Sequence, residues 1–211
     1  MFMQEKTYPE GTRVLVWHLD EDAQHLLALC QEGGIAIDDL LGLPEKRQRE
    51  KAAERLLLYH AMGCPVTLSH DRQGAPSLQG ITMNVSITHT PRLVAVALNE
   101  QQDIGLDAEQ MDRQQVLRVR DKFLNDREKQ FIAVDDLSSH VLAWTAKEAI
   151  IKAERDSSLD WTDGITLEPF VVNTPWPDEI SLAASCRGHR YCLSARRVDD
   201  HVMTVAVAPV D

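Results

Sequence analysis

Asp107 and Glu109 stand two residues apart in Ile104-Gly105-Leu106-Asp107-Ala108-Glu109, a stretch that alternates as a strand does. In an extended chain residues i and i+2 share a face, so the two carboxylates project together while Leu106 and Ala108 point into the core. Side by side the acids repel each other, and a hard divalent cation relieves that repulsion and turns the pair into a binding site. A third carboxylate, Glu148, follows Lys147 directly and precedes Lys152 by four residues. Together they offer three oxygen ligands and two amines. Oxygen-only ligation suits Mg²⁺ or Mn²⁺, and amines beside such an ion suit a phosphate or pyrophosphate. Ser86-Ile87-Thr88-His89-Thr90 adds an imidazole flanked by hydroxyls, a polar pocket able to hold a phosphate oxygen. Taken singly, each feature also reads as solvated surface: an acid pair at a strand end, one helix-stabilising Glu–Lys pair, one structural histidine.

The elements that must position these residues follow from spacing and punctuation. Glu148 and Lys152 lie in a helix expected from about Asp136, with Asp135 or Asp136 as N-cap and no Gly or Pro before Gly164. Its residues are apolar except along one strip, where Trp144, Glu148 and Lys152 follow at i, i+4 and i+8 and stack on one face, with Lys147 at the strip's edge. Earlier in the chain, Arg13 to Leu19 reads as a strand, and Glu21 to Cys30 as a helix ended by Gly33-Gly34. Pro44 sits where a first-turn proline belongs, and Glu45 to Met62 reads as a long helix closed by Gly63. Val66 to Leu68 is extended, and Asp71 to Pro76 is a turn. Strands are expected at Met83 to His89, Leu93 to Leu98 and Asp103 to Glu109, and helices at Gln114 to Phe123 and from Asn125 or Asp126 to Ile132. After Gly164 four strands follow, Ile165 to Val172, Ile180 to Cys186, Tyr191 to Arg197 and Val202 to Ala208. This order predicts an α+β fold of two similar halves, residues 1–100 and 101–211, the second carrying the metal site, with no flexible linker between them.

The chain has 211 residues and 44% apolar side chains, enough to bury a core. No apolar run approaches the roughly 18 residues that span a bilayer. Met1 to Gly11 has no apolar signal-like stretch, and the four cysteines form no CxxC pair, so reduced thiols and a cytoplasmic location are expected. A net charge of −11 disfavours nucleic acid, whose phosphates require a basic face. Basic residues nevertheless gather in two places. Lys46, Arg47, Arg49, Lys51 and Arg55 fall within one helix, and Arg113, Arg118, Arg120, Lys122, Arg127 and Lys129 follow the DxE strand. Such segments in an acidic chain suit a phosphorylated or acidic partner, or are ordinary solvated helices.

Together these stretches resemble a known family. Ile104 to Glu109 is similar to the (V/I)G(I/V)D-x-E signature of the 4′-phosphopantetheinyl transferases, and Trp144 to Lys152 to their W-(S/T)-x-K-E-A-x-x-K signature, at the expected separation. Ser86 to Thr90 looks like their S-x-S-H-S strand, Gln73 to Pro76 like their G-K-P turn, and Arg55 to Leu58 like their R-x-L-L helix. The resemblance runs from about Leu43 to Phe170, and the length is that of the larger, Sfp-type members, which resemble a fused pseudo-dimer. It departs at Ala75, where the family usually has a lysine for coenzyme A, and at Glu54, where a small residue is common.

The resemblance implies transfer of the phosphopantetheine arm of coenzyme A to a serine of an apo acyl or peptidyl carrier protein, releasing 3′,5′-ADP. It implies Asp107, Glu109 and Glu148 as ligands of Mg²⁺, with Mn²⁺ as the alternative. It implies Glu148 as base, acting directly or through a metal-bound water, and Lys152 as partner of the leaving phosphate with Lys147 assisting. Thr88 and His89 would hold phosphate oxygens, and Arg55 with Arg47 the 3′-phosphate. Arg118, Arg120 and Lys122 would dock the acidic carrier, and a monomer would suffice, since a pseudo-dimer needs no partner to complete its site. A non-catalytic coenzyme A or nucleotide binder is the alternative that Ala75 leaves open.

Overall fold

The computed structural model describes residues 3–8 and 10–209. Chain contacts divide it into two compact units, Met1–Gln101 and Gln102–Asp211. The architecture is mixed α+β, each unit pairing an antiparallel sheet with helices, as the alternation of elements predicts.

In the first unit the sheet runs β1 (Met3–Thr7), β2 (Arg13–His18), β6 (Leu93–Asn99), β5 (Asn84–His89), all antiparallel. Helices α1 (Ala23–Glu32) and α2 (Glu45–Met62) pack their Leu26, Cys30, Ala52, Ala53, Leu56 and Leu57 against Leu15, Trp17, Val94 and Val96 of the sheet. The Asp22 carboxylate caps α1 by accepting the His25 N–H at 2.8 Å. Pro44 precedes α2 as its N-cap, one position earlier than expected, and Gly63 ends it at φ 71°, a left-handed turn that a glycine adopts without strain. The expected turn joins β3 (Leu68–His70) to β4 (Pro76–Leu78), with Asp71 Oδ1 accepting the N–H groups of Gln73 and Ala75. Strand β1 was not expected. Its Gln4, Glu5 and Lys6 suit an edge strand, where charge discourages further pairing.

The second unit has a sheet ordered β7 (Ile104–Gln110), β11 (His201–Val207), β10 (His189–Val198), β9 (Glu179–Cys186), β8 (Ile165–Leu167). Strand β8 stops at Leu167, short of the expected Val172. Pro169 has no N–H to continue the ladder. The expected helix Gln114 to Phe123 is instead α3 (Gln115–Arg118) and a 3₁₀ turn over Arg120–Lys122, because Val119 at φ −108° and ψ 10° leaves helical geometry. A second short helix, α4 (Glu128–Phe131), is capped by Asn125 Oδ1, which accepts the N–H groups of Arg127 and Glu128. Helix α5 (Leu137–Glu154) starts at Asp136, whose side chain accepts the Ser139 N–H. From Ser139 to Ala153 only Trp144, Glu148 and Lys152 escape full burial, so the polar strip read from spacing is the exposed edge of an otherwise enclosed helix.

Candidate active site

Gly105 sets the geometry of this region. A Cβ built on it would meet the Ala149 carbonyl oxygen at 1.7 Å and the Ala153 nitrogen at 2.8 Å, so only glycine lets the backbones of β7 and α5 lie this close. Residues 105, 107 and 109 share a face, which is therefore the face that α5 covers. Asp107 pairs with Thr204 of β11, whose hydroxyl lies 2.8 Å from that of Thr145 on α5. With the helix fixed at Thr145, Ala149 and Ala153, Glu148 and Lys152 are carried to the Asp107 side chain.

Lys152 Nζ donates to Asp107 Oδ1 at 2.8 Å and to the Leu106 carbonyl at 2.8 Å. Asp107 is only 6% exposed. Burial, and then the like charge of Asp107, pushes the Glu148 carboxyl above its ordinary value, outweighing the nearby Lys152 and Arg113. Glu109 forms an ion pair with Arg113, and that guanidinium lies 5.3 Å from the centre of the Trp144 ring. Asp107, Glu109, Glu148 and Lys152 are thus gathered by one strand and one helix.

Among the described residues, no group of three or more His, Cys, Asp or Glu side chains is arranged to hold a metal ion. The carboxylates are met by the protein's own cations, Lys152 on Asp107 and Arg113 on Glu109. In kind the residues fit a hard divalent cation: all candidate donors are carboxylate oxygens, and Asp107 and Glu148, whose like charges oppose each other, would gain by a shared cation.

Lys147 is elsewhere, which corrects the expectation that it assists at the phosphate. It is 0% exposed, and its Nζ meets the carbonyls of Phe123 (2.7 Å), Trp161 (2.7 Å) and Ile165 (3.0 Å) and Glu128 Oε2 (2.7 Å). Each residue advances about 100° around a helix, so adjacent Lys147 and Glu148 face different surroundings. Burial lowers the Lys147 ammonium below its usual range, while Glu128 opposes that shift. Glu128 in turn accepts the N–H groups of Leu167 and Asn125, each at 2.8 Å. Glu128 and Arg113 were missed as structural partners. Arg113 stands four residues after Glu109, but the pairing forms across a strand end rather than along a helix. Glu128 had no local signal at all.

The remaining candidates of the second unit lie on α3 and its 3₁₀ continuation. Arg118 and Lys122 are exposed, and Arg120 is half-buried. Beside them is a cavity of about 250 Å³ lined by Val116, Val119, Phe123, Trp144, Trp161 and Arg113, with Lys122 at its wall. Its aromatic rings pack closely, Trp144 lying 4.7 Å from Trp161 and 5.2 Å from Phe123 between ring centres.

In the first unit, Arg47 Nη1 donates to Glu50 Oε2 at 2.7 Å, and His89 Nδ1 stands 3.7 Å from Glu50 Oε1. Glu50, 2% exposed, therefore gathers Arg47 and His89. Arg55, eight residues along α2 from Arg47, makes a two-point pair with Asp39 at 2.9 and 2.6 Å. Thr88 is buried on β5 opposite Ala95. Ala75 offers only a methyl group at its turn, whose backbone Asp71 holds.

Residues 103–206, from the start of β7 through most of β11, match the model of the 4′-phosphopantetheinyl transferase superfamily. No curated protein resembles the chain closely enough to count as a match.

Proposed function

The chain belongs, through residues 103–206, to the 4′-phosphopantetheinyl transferase superfamily, and from that premise we propose that it transfers phosphopantetheine from coenzyme A to a serine of an apo acyl or peptidyl carrier protein. One observation supports this reading. The Gly105 contact brings the helix residues Glu148 and Lys152 to Asp107, joining the two motif stretches at a single place.

In this reading Asp107, Glu109 and Glu148 would hold Mg²⁺, or Mn²⁺, which when bound would neutralise charge on the pyrophosphate of coenzyme A. The serine hydroxyl attacks the phosphorus of the pantetheine arm, a new phosphorus–oxygen bond forms, and the bond to 3′,5′-ADP breaks. Glu148 takes the serine proton, directly or through a bound water. The Lys152 ammonium, already 2.8 Å from Asp107, sets positive charge where the leaving phosphate gains negative charge. Arg47, Arg55, Thr88 and His89 are proposed to hold coenzyme A phosphates, with Glu50 fixing Arg47 and His89. Arg118, Arg120 and Lys122 are proposed to dock the acidic carrier. We read residues 1–100 and 101–211 as halves of a pseudo-dimer of the larger, Sfp-type kind, acting as a cytoplasmic monomer. No helix among the described residues is long and apolar enough to cross a membrane.

The test is incubation with coenzyme A, Mg²⁺ and a panel of apo carriers, read by mass spectrometry. Gain of one phosphopantetheinyl group on any carrier, lost in Glu148→Gln, is the expected result. Tight coenzyme A binding without transfer to any member would instead establish the binder, the alternative that the methyl side chain of Ala75 favours.

A further inference from the structure

Arg113 is not part of either motif, yet it joins the carboxylates to the aromatic cavity. Its backbone is fixed by a turn just past β7, where its N–H donates to the Gln110 carbonyl at 3.1 Å. From there the side chain reaches back to pair with Glu109, lies over the Trp144 ring at 5.3 Å, and forms part of the cavity wall with Trp161 and Phe123. Glu109 thus already has a cationic partner, and the same guanidinium covers an aromatic face. A divalent ion on the Glu109 oxygens would meet that guanidinium at close range, and two cations sharing one carboxylate repel each other.

We propose that Arg113 is a positioning residue that competes with a divalent cation for Glu109, so that cation binding releases the guanidinium and alters the packing over Trp144 in the cavity wall. This rests on the reading of Asp107, Glu109 and Glu148 as the cation ligands. Its consequence is that ion binding and the shape of the cavity are linked through one side chain. The linkage costs affinity, since the ion must replace an existing pair.

Titrating the purified chain with Mn²⁺, with free ion followed by electron paramagnetic resonance and the indole emission recorded in parallel, tests this. In the unmodified protein Mn²⁺ uptake should change the emission, and Trp144→Phe should remove that change. Arg113→Gln should bind Mn²⁺ about fivefold more tightly, the scale of a half-exposed ion pair, with no emission step on binding. Arg113→Lys, which keeps the charge, should return affinity towards that of the unmodified chain. Uptake by Arg113→Gln alone would support the competition most strongly. Affinity in Arg113→Gln equal to or weaker than in the unmodified chain, an unchanged emission step, or no uptake by either protein overturns it. Asp107→Asn separates the two readings: loss of uptake there keeps the cation site whatever Arg113 does, and unaltered uptake removes the site itself.

Discussion

Lys147 and Lys152 sit on one helix and meet opposite surroundings. The first is enclosed by Glu128 and three carbonyls, and the second has a side chain 29% exposed against Asp107. Removing one member of a buried pair leaves the other charged and enclosed, so Lys147→Met should lower unfolding free energy by about 3–5 kcal/mol, measured by urea denaturation. Lys152→Met takes a cation from the buried Asp107 but at a part-exposed edge, so it should cost about 1–3 kcal/mol, less than Lys147→Met, and should lower kcat roughly 10²-fold or more, as loss of a charge-stabilising group does. The reverse pattern would return Lys147 to the chemistry. His140 belongs to the same scale. It is 0% exposed, its Nδ1 lies 2.7 Å from the Asp136 carbonyl, and burial depresses its pKa below 6.5. The unfolded chain then binds the proton more readily, so this contribution to stability is present above about pH 6.5 and is lost as pH falls through the depressed folded value. The melting temperature of His140→Phe should therefore fall less than that of the unmodified protein between pH 7.5 and 5. Equal slopes would assign the acid sensitivity to other groups.

At the scale of elements, the contact between β7 and α5 is made by backbone, and Gly105→Ala probes it. The added methyl has no flexible side chain to displace, so strand and helix must move apart. We expect a loss of at least about 1–3 kcal/mol, with transferase activity falling further than Glu109→Gln lowers it. A variant as stable as the unmodified chain would mean that the two backbones separate freely. This is also where the reach of the sequence is clearest. Period and punctuation sufficed for α2 and α5, whose ends at Gly63 and Asp136 are chemical stops. Alternation sufficed to place Asp107 and Glu109 on one face, and i, i+4 spacing to align Trp144, Glu148 and Lys152. The fate of Lys147 was not legible, because its partners Glu128, Trp161 and Ile165 are distant in the chain and three of its four acceptors are backbone carbonyls, which any residue supplies. The charged edge strand β1 and the break at Val119 were likewise set by packing rather than by local pattern.

Over the whole molecule, a net charge of −11 would repel an acidic carrier unless basic residues are presented locally. Arg118 and Lys122 are exposed beside the cavity wall, whereas Arg120 is half-buried with its Nε enclosed. The double change Arg118→Glu, Lys122→Glu should raise KM for the carrier roughly tenfold at low salt, and the gap should narrow as salt is added. The KM for coenzyme A should stay as it was; a parallel rise in both would remove the docking role. One feature of the second unit reaches beyond this protein. Where side chains space two elements, a substitution can tune the gap; where a glycine lets main chains touch, the gap is set by atoms common to every sequence. Anyone moving this carboxylate set onto another scaffold would have to carry Gly105 and its facing helix turn as part of the cargo, because the four acidic and basic groups inherit their separation from that bare stretch of backbone.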